Sequence, residues 1–210
     1  GSCTIIATGT ITASSGVAAI TSSGASSVVR LSGNLIDASG TGQHLAWFSA
    51  ALPQWDWQPS DAFASAFPGI AAQIRRSGST NVRPPVLLDV RDASWPSQGQ
   101  PFGEPFDLVY CANMIHIAPW ECCGGLMRGC GRHLAADGRL VTYGPYFEAD
   151  VVAAQGNIDF DRSLQSRDPA WGIRQLQDVA TEAQRAGLQL LQRHAMPANN
   201  LLLVWGRADA

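Results

Sequence analysis

From Asn34 onward, short apolar runs alternate with longer stretches in which apolar residues recur every three or four positions. The first run, Asn34-Leu35-Ile36-Asp37-Ala38, reads as a strand ending in Ser39-Gly40-Thr41-Gly42. A helix follows, carrying Ala46, Phe48, Ala50 and Leu52 and stopping at Pro53. Trp55-Asp56-Trp57-Gln58 predicts a second strand that runs out at Asp61, and 62–76 a helical stretch broken near Pro68-Gly69. Residues 85–90 predict a third strand. A fourth, 106–111, is apolar almost without interruption and is expected to be buried on both faces. Residues 119–134 predict a helix, with Pro119 suited to its first turn. Asp137-Gly138 then turns the chain into a fifth strand, 139–143. Residues 145–171 are long and polar, which predicts a lid or binding loop and not a core element. A helix over 173–186 ends at Gly187, and strands 188–194 and 201–205 flank a tight turn, Pro197-Ala198-Asn199-Asn200.

Repeated strand–helix units imply an α/β fold, a mostly parallel sheet with helices on both faces. The last connection is too short for a crossover, so the final strand is expected to run antiparallel. The 210 residues suit one domain able to bury a core unaided. The expected division is an atypical low-complexity segment, 1–30, and a domain over 31–210 with 145–171 as its lid. Nothing before Arg30 carries a charge. Two descriptions of this start compete. Residues 4–12 are β-branched and suit an extended segment, while Val17, Ile20, Val28 and Leu31 are spaced for a helix over 14–31; the helix after a loose start is preferred.

Composition narrows the partners. Charged residues make up only 15% of the chain and the net charge is −3, which argues against a nucleic-acid binder working through a broad basic face and against a polybasic membrane anchor. No apolar run is long enough to predict a transmembrane helix. The five cysteines are odd in number and contain no Cys-x-x-Cys, so a reducing cytoplasm is the expected compartment. Cys122, Cys123 and Cys130 share a helix, and small buried apolar side chains are a better account of them than zinc, which wants four ligands at known spacings.

In an open α/β sheet, ligands bind beyond the carboxyl ends of the strands. Those ends carry Asp37 and the glycine loop, then Asp61, Asp89, Asn113 with His116, and Gly144 with Tyr146. The glycines allow close backbone approach and aim amide N–H groups from a helix start. The loop is neither a Walker loop nor G-x-G-x-x-G, which weakens a dinucleotide assignment. A carboxylate at Asp61 suits two ribose hydroxyls, or an N-cap. Asp89 suits an exocyclic amine, or a loop-capping turn.

The runs LIDASGTGQH, WQPSD, LLDV, FDLVYCANMIHIAPW and GRLVTYGPY, with MPANNLLLVWGR at the end, resemble class I S-adenosylmethionine-dependent methyltransferases and, more narrowly, the methyltransferase-like protein 26 family. The resemblance covers about residues 34–207. It implies a Rossmann-like sheet of order 3-2-1-4-5-7-6 and S-adenosylmethionine as cofactor, released as S-adenosylhomocysteine. Ser39, Gly40 and Gly42 would pack on its methionine and ribose, beside Asp37. Asp61 would hold the ribose, Asp89 with the Val90 backbone would face the adenine, and Asn113 and His116 would lie near the sulfonium methyl. Asp37 stands where Glu is commoner, and 1–30 lacks the family's charged opening helix. The expected activity is methyl transfer to a small molecule. A non-catalytic cofactor-binding protein acting through a partner, and an NAD-dependent oxidoreductase, are the alternatives.

His116 is the candidate base, since imidazole titrates near neutrality; a structural histidine is the alternative. Tyr146 would orient substrate, or pack. Arg167 and Trp171, in the lid, would touch substrate; for Arg167 a structural ion pair competes.

Overall fold

A computed structural model describes residues 43–207, together with the backbone of two short segments further upstream. Those segments, β1 (Ala13–Ser14) and β2 (Val17–Ala18), pair antiparallel. A hairpin therefore stands where the helix over 14–31 was expected to start. The first predicted strand and its glycine loop lie outside the described residues.

Helix α1 (Gln43–Ala51) ends before Pro53, as the pattern predicts. The second strand sits later than expected. Trp57 makes only an isolated parallel bridge to Val82, and β3 is Ser60–Asp61, parallel to β4 (Val86–Leu87). Pro68 does not break a helix; it lies in the first turn of α2 (Phe67–Ser77), where its missing N–H costs nothing. A single 3-10 turn, Ala64–Ala66, leads into α2.

The main sheet runs β5 (Phe106–Ala112), β6 (Leu134–Phe147), β9 (Asn200–Arg207), β8 (Leu188–Met196). β5 and β6 are parallel, and β9 is antiparallel to both β6 and β8, as the short hairpin required. In the order of the predicted strands this gives 4-5-7-6, with 2 beside 3. β6 begins at Leu134, before the expected Asp137-Gly138 turn, which is absorbed into the strand at a register shift against β5. Two-residue β7 (Arg174–Gln175) adds to β6 beyond the end of β5.

Side-chain alternation decides the layers. Along β5, Phe106, Val109 and Cys111 enter one buried cluster, while Leu108, Tyr110 and Ala112 enter the other. Along β9, Leu201, Leu203 and Trp205 face the first, and Leu202 and Val204 the second. Because strand side chains alternate faces, a continuous apolar run needs cover on both. α1 and α2 cover one face, through Leu45, Phe48, Leu52 and Ile70. α3 (Glu121–His133) and α5 (Leu176–Arg185) cover the other, through Leu126, Met127, Val179 and Ala183. All four described cysteines are free and buried, three of them in α3. Gly187 (φ 75°) follows α5. The polar segment expected to be a loop holds a helix, α4 (Gln155–Arg167), anchored by buried Leu164 and Asn157. Among the described residues, no helix is long and apolar enough to cross a membrane.

Candidate functional site

The strand tips β3 and β4 hold two of the predicted carboxylates. Asp61 is 3% exposed. Its Oδ1 accepts the Phe63 N–H at 2.8 Å, so it caps the turn that follows. Burial nevertheless holds its carboxyl above the ordinary range, against the lowering pull of the Phe63 and Ala62 amides. Asp89 behaves differently. Its carboxylate is partly exposed and gripped by Arg91, whose Nε lies 3.0 Å from Oδ1 and whose backbone N–H lies 2.9 Å from the same atom. This pairing lowers its pKa. The carboxylate expected at an adenine amine is thus engaged by its neighbour two residues on. Val90 is core, its carbonyl pressed against α3 at Gly125.

At the tips of β5 and β6 the backbone is unusual. Asn113 adopts φ 57°, and its N–H donates to the Tyr143 carbonyl at 2.8 Å. Opposite it, Gly144 has φ 156°. A Cβ there would meet His116 Nδ1 at 3.2 Å, so glycine keeps the place of the imidazole open as well as permitting the backbone. His116 is 5% exposed, with its ring edge-on to Phe160 at 5.7 Å between centroids. Its carbonyl accepts the Gly172 N–H at 3.0 Å. Burial, followed by the charges of Arg174 and Arg167, lowers its pKa to about 4. The ring is therefore neutral at physiological pH, and the expectation of a base poised near neutrality does not hold. Arg174 is a staple: it donates to the carbonyls of Ile115 (3.2 Å), Ala118 (2.8 Å) and Ala170 (2.7 Å), with its guanidinium over Trp120.

A cavity of about 730 Å³ opens over these two tips, between the β5–α3 connection and α4. Asn113 and His116 line its floor, Phe160, Arg167 and Trp171 its lid side, and Asn199 the side toward the final hairpin. Arg167 stands over the Trp171 ring at 5.5 Å. Asn157 in α4 donates to the Asn199 carbonyl at 3.2 Å, tying the lid to that hairpin.

Four predicted site residues, Asn113, His116, Arg167 and Trp171, thus converge on one cavity. Asp61 and Asp89 sit on the adjacent tips of β3 and β4, outside its lining. Asp37, Ser39, Gly40 and Gly42 lie outside the described residues. Tyr146 is a correction: its hydroxyl points into the core and donates to Thr142 Oγ1 at 3.0 Å, and burial raises its pKa, so no free hydroxyl reaches substrate. Sequence reasoning missed Asn157 and Phe160, three apart on one side of α4, because the segment reads as polar loop. It also missed the staple at Arg174. Among the described residues, no group of three or more His, Cys, Asp or Glu is placed to hold a metal.

A family model described as a protein of unknown function, DUF938, matches residues 21–207. Solved structures of similar fold include an O-methyltransferase family protein from Burkholderia thailandensis, at 16% identity and TM-score 0.71, covering 87% of this chain and 52% of that one. The mitomycin 7-O-methyltransferase MmcR aligns at 13% identity and TM-score 0.68, over 86% of this chain and 49% of its own. The S-adenosylmethionine-dependent methyltransferase SibL aligns at 18% and 0.67, over 87% and 51%. The chain spans about half the length of these proteins. At such identities the likeness shows the fold, a Rossmann-like methyltransferase sheet with helices on both faces.

Proposed function

The chain belongs to the DUF938 family, and on that footing we propose that it transfers a methyl group from S-adenosylmethionine to a small-molecule acceptor by in-line displacement. Within the fold, the motif resemblance supports kinship with methyltransferase-like protein 26, and the free buried cysteines suit work in the cytoplasm. The observation that carries the proposal is Asp61, a carboxylate buried against its own solvation at the tip of β3. Its carboxylate already accepts the Phe63 N–H, and a ribose diol would add two hydroxyl donors that favour the charged form burial opposes.

The described residues fit such a cofactor unevenly. Asp61 would hold the ribose, and the left-handed Asn113 tip would border the reacting end. Asp89 could take an adenine amine only by sharing or releasing Arg91. When bound, S-adenosylmethionine supplies a methyl already activated on sulfur, and the electron pair of the breaking C–S bond stays with sulfur as the new bond forms. The protein is left with placement and the exclusion of water. α4 and Trp171 close the acceptor side. His116, neutral and lining the cavity, accepts a proton from an acceptor that carries one and passes it to solvent, since its depressed pKa does not retain it. Its weakness as a base favours a second reading, a non-catalytic cofactor-binding protein.

Calorimetric titration with S-adenosylhomocysteine tests the binding half. Asp61→Ala should weaken affinity about tenfold or more, the scale of a lost charge-assisted hydrogen bond; unchanged affinity in a folded variant would refute the role. Turnover of labelled S-adenosylmethionine on a metabolite extract separates enzyme from binder: labelled product is expected, and its absence favours the binder.

A further inference from the structure

The cavity over β5 and β6 has an uneven charge. Arg167 lines it, and among the described residues no carboxylate does. Among the described residues, Arg83, Arg91 and Arg193 pair with Asp56, Asp89 and Glu148, away from the cavity. Arg167 has no carboxylate partner among the described residues and rests only on the face of Trp171. A cation–π contact of this kind engages the guanidinium without using its N–H donors, which leaves them open for capture of an oxyanion. Close behind, Arg174 adds a second positive charge whose donors go to backbone carbonyls and which Asp161 and Glu121 offset in part. The two cations act on His116 in the direction expected of a net positive field, making an imidazolium there unfavourable. The same field favours an anion. Three of the other lining residues are flat rings, Trp171, Phe160 and His116, and four asparagines, Asn113, Asn157, Asn199 and Asn200, supply neutral polar groups.

We propose that the cavity takes a planar aromatic compound bearing one negative charge, with the oxyanion held by Arg167 and the ring laid against Trp171 and Phe160, and that this compound is the methyl acceptor. The last clause rests on the proposed methyl transfer; the charge preference of the cavity does not.

The test is binding, followed by calorimetry or by quenching of tryptophan fluorescence. Benzoate, 4-hydroxybenzoate and indole-3-carboxylate are each titrated beside their own methyl esters, which keep the ring and lose the charge. In the unmodified protein at least one acid should bind about tenfold more tightly than its ester. Arg167→Gln should abolish that difference while leaving ester binding in place, and Arg167→Lys should restore part of it. Arg167 is exposed on the last turn of α4, so these variants should fold, and a circular dichroism melt checks that they do. Esters binding as tightly as every acid, or a preference that survives Arg167→Gln, would overturn the proposal. S-adenosylhomocysteine is titrated in parallel. Its failure to bind, with the Arg167-dependent preference intact, would overturn the methyl-transfer reading and leave an anion cavity; its binding, with no preference for acids, would do the reverse.

Discussion

His116 and Asp61 are both buried titratable groups, and they bias stability in different directions. His116 keeps a pKa of about 4 in the native state, against about 6.5 when unfolded. The unfolded chain therefore takes up the proton first as pH falls, so stability is lost between about pH 6.5 and about pH 4, up to about 3 kcal/mol. Urea unfolding at pH 7 and at pH 4.5 should show the loss, and His116→Gln should reduce it; equal pH slopes in the two proteins would contradict it. In turnover, His116→Ala should slow the reaction while leaving cofactor affinity nearly intact. Asp61 is raised by burial, so its ionised form burdens the native state at neutral pH and the burden disappears as pH falls below its folded pKa. Asp61→Asn should accordingly melt at or above the wild-type temperature without ligand, yet bind S-adenosylhomocysteine more weakly, a trade expected where a site is built at some cost to the fold. A lower melting temperature with full affinity would contradict both halves. Thr142 makes a simpler case: its buried Oγ1 accepts from both Tyr146 and Trp205, each at 3.0 Å. Thr142→Val strands two buried donors and should cost about 2 kcal/mol or more in denaturant titration. This contact also explains why the role expected for Tyr146 was not readable from its place at a strand end, since a hydroxyl's direction depends on a partner four residues earlier.

At the scale of elements, the strongest patterns were the legible ones. The apolar run of β5, the Gly187 stop after α5 and the Pro197–Asn199 turn follow from periodicity and turn chemistry alone. Where tertiary packing overrides a local signal, the text of the chain misleads. Pro68 reads as a breaker but serves the first turn of α2. α4 reads as loop because most of its positions are polar and only Leu164 and Asn157 are buried. α3 forms where the pattern predicts a helix although it carries four glycines, which disfavour helices. The reason is contact: at Gly129 a Cβ would stand 2.0 Å from Trp95 Cζ2. Gly129→Ala should therefore destabilise, despite alanine's better helix propensity, by about 1–3 kcal/mol through overpacking. A neutral or stabilising outcome in urea would mean that Trp95 moves aside freely.

For the whole molecule, the division of labour follows from topology. Parallel strands β3 and β4 lead to Asp61 and Asp89 at their carboxyl ends, and the cavity opens at the carboxyl ends of parallel β5 and β6. The candidate site was legible to the extent that strand ends could be counted. Asn113 and His116 were singled out that way, and Arg167 and Trp171 as members of the polar segment expected to form the lid; all four line the one cavity. The walls given by Phe160 and Asn157, and the charge set by Arg174, depend on how a polar helix folds back over the sheet. Arg91 likewise changes the meaning of Asp89 in a manner no spacing shows. The most direct measurement is a crystal structure with S-adenosylhomocysteine bound. The account predicts its ribose hydroxyls within hydrogen-bond distance of Asp61 and its sulfur facing the cavity beside Asn113 and His116; the molecule lodged away from the tip of β3, or with its sulfur turned from that cavity, would contradict it.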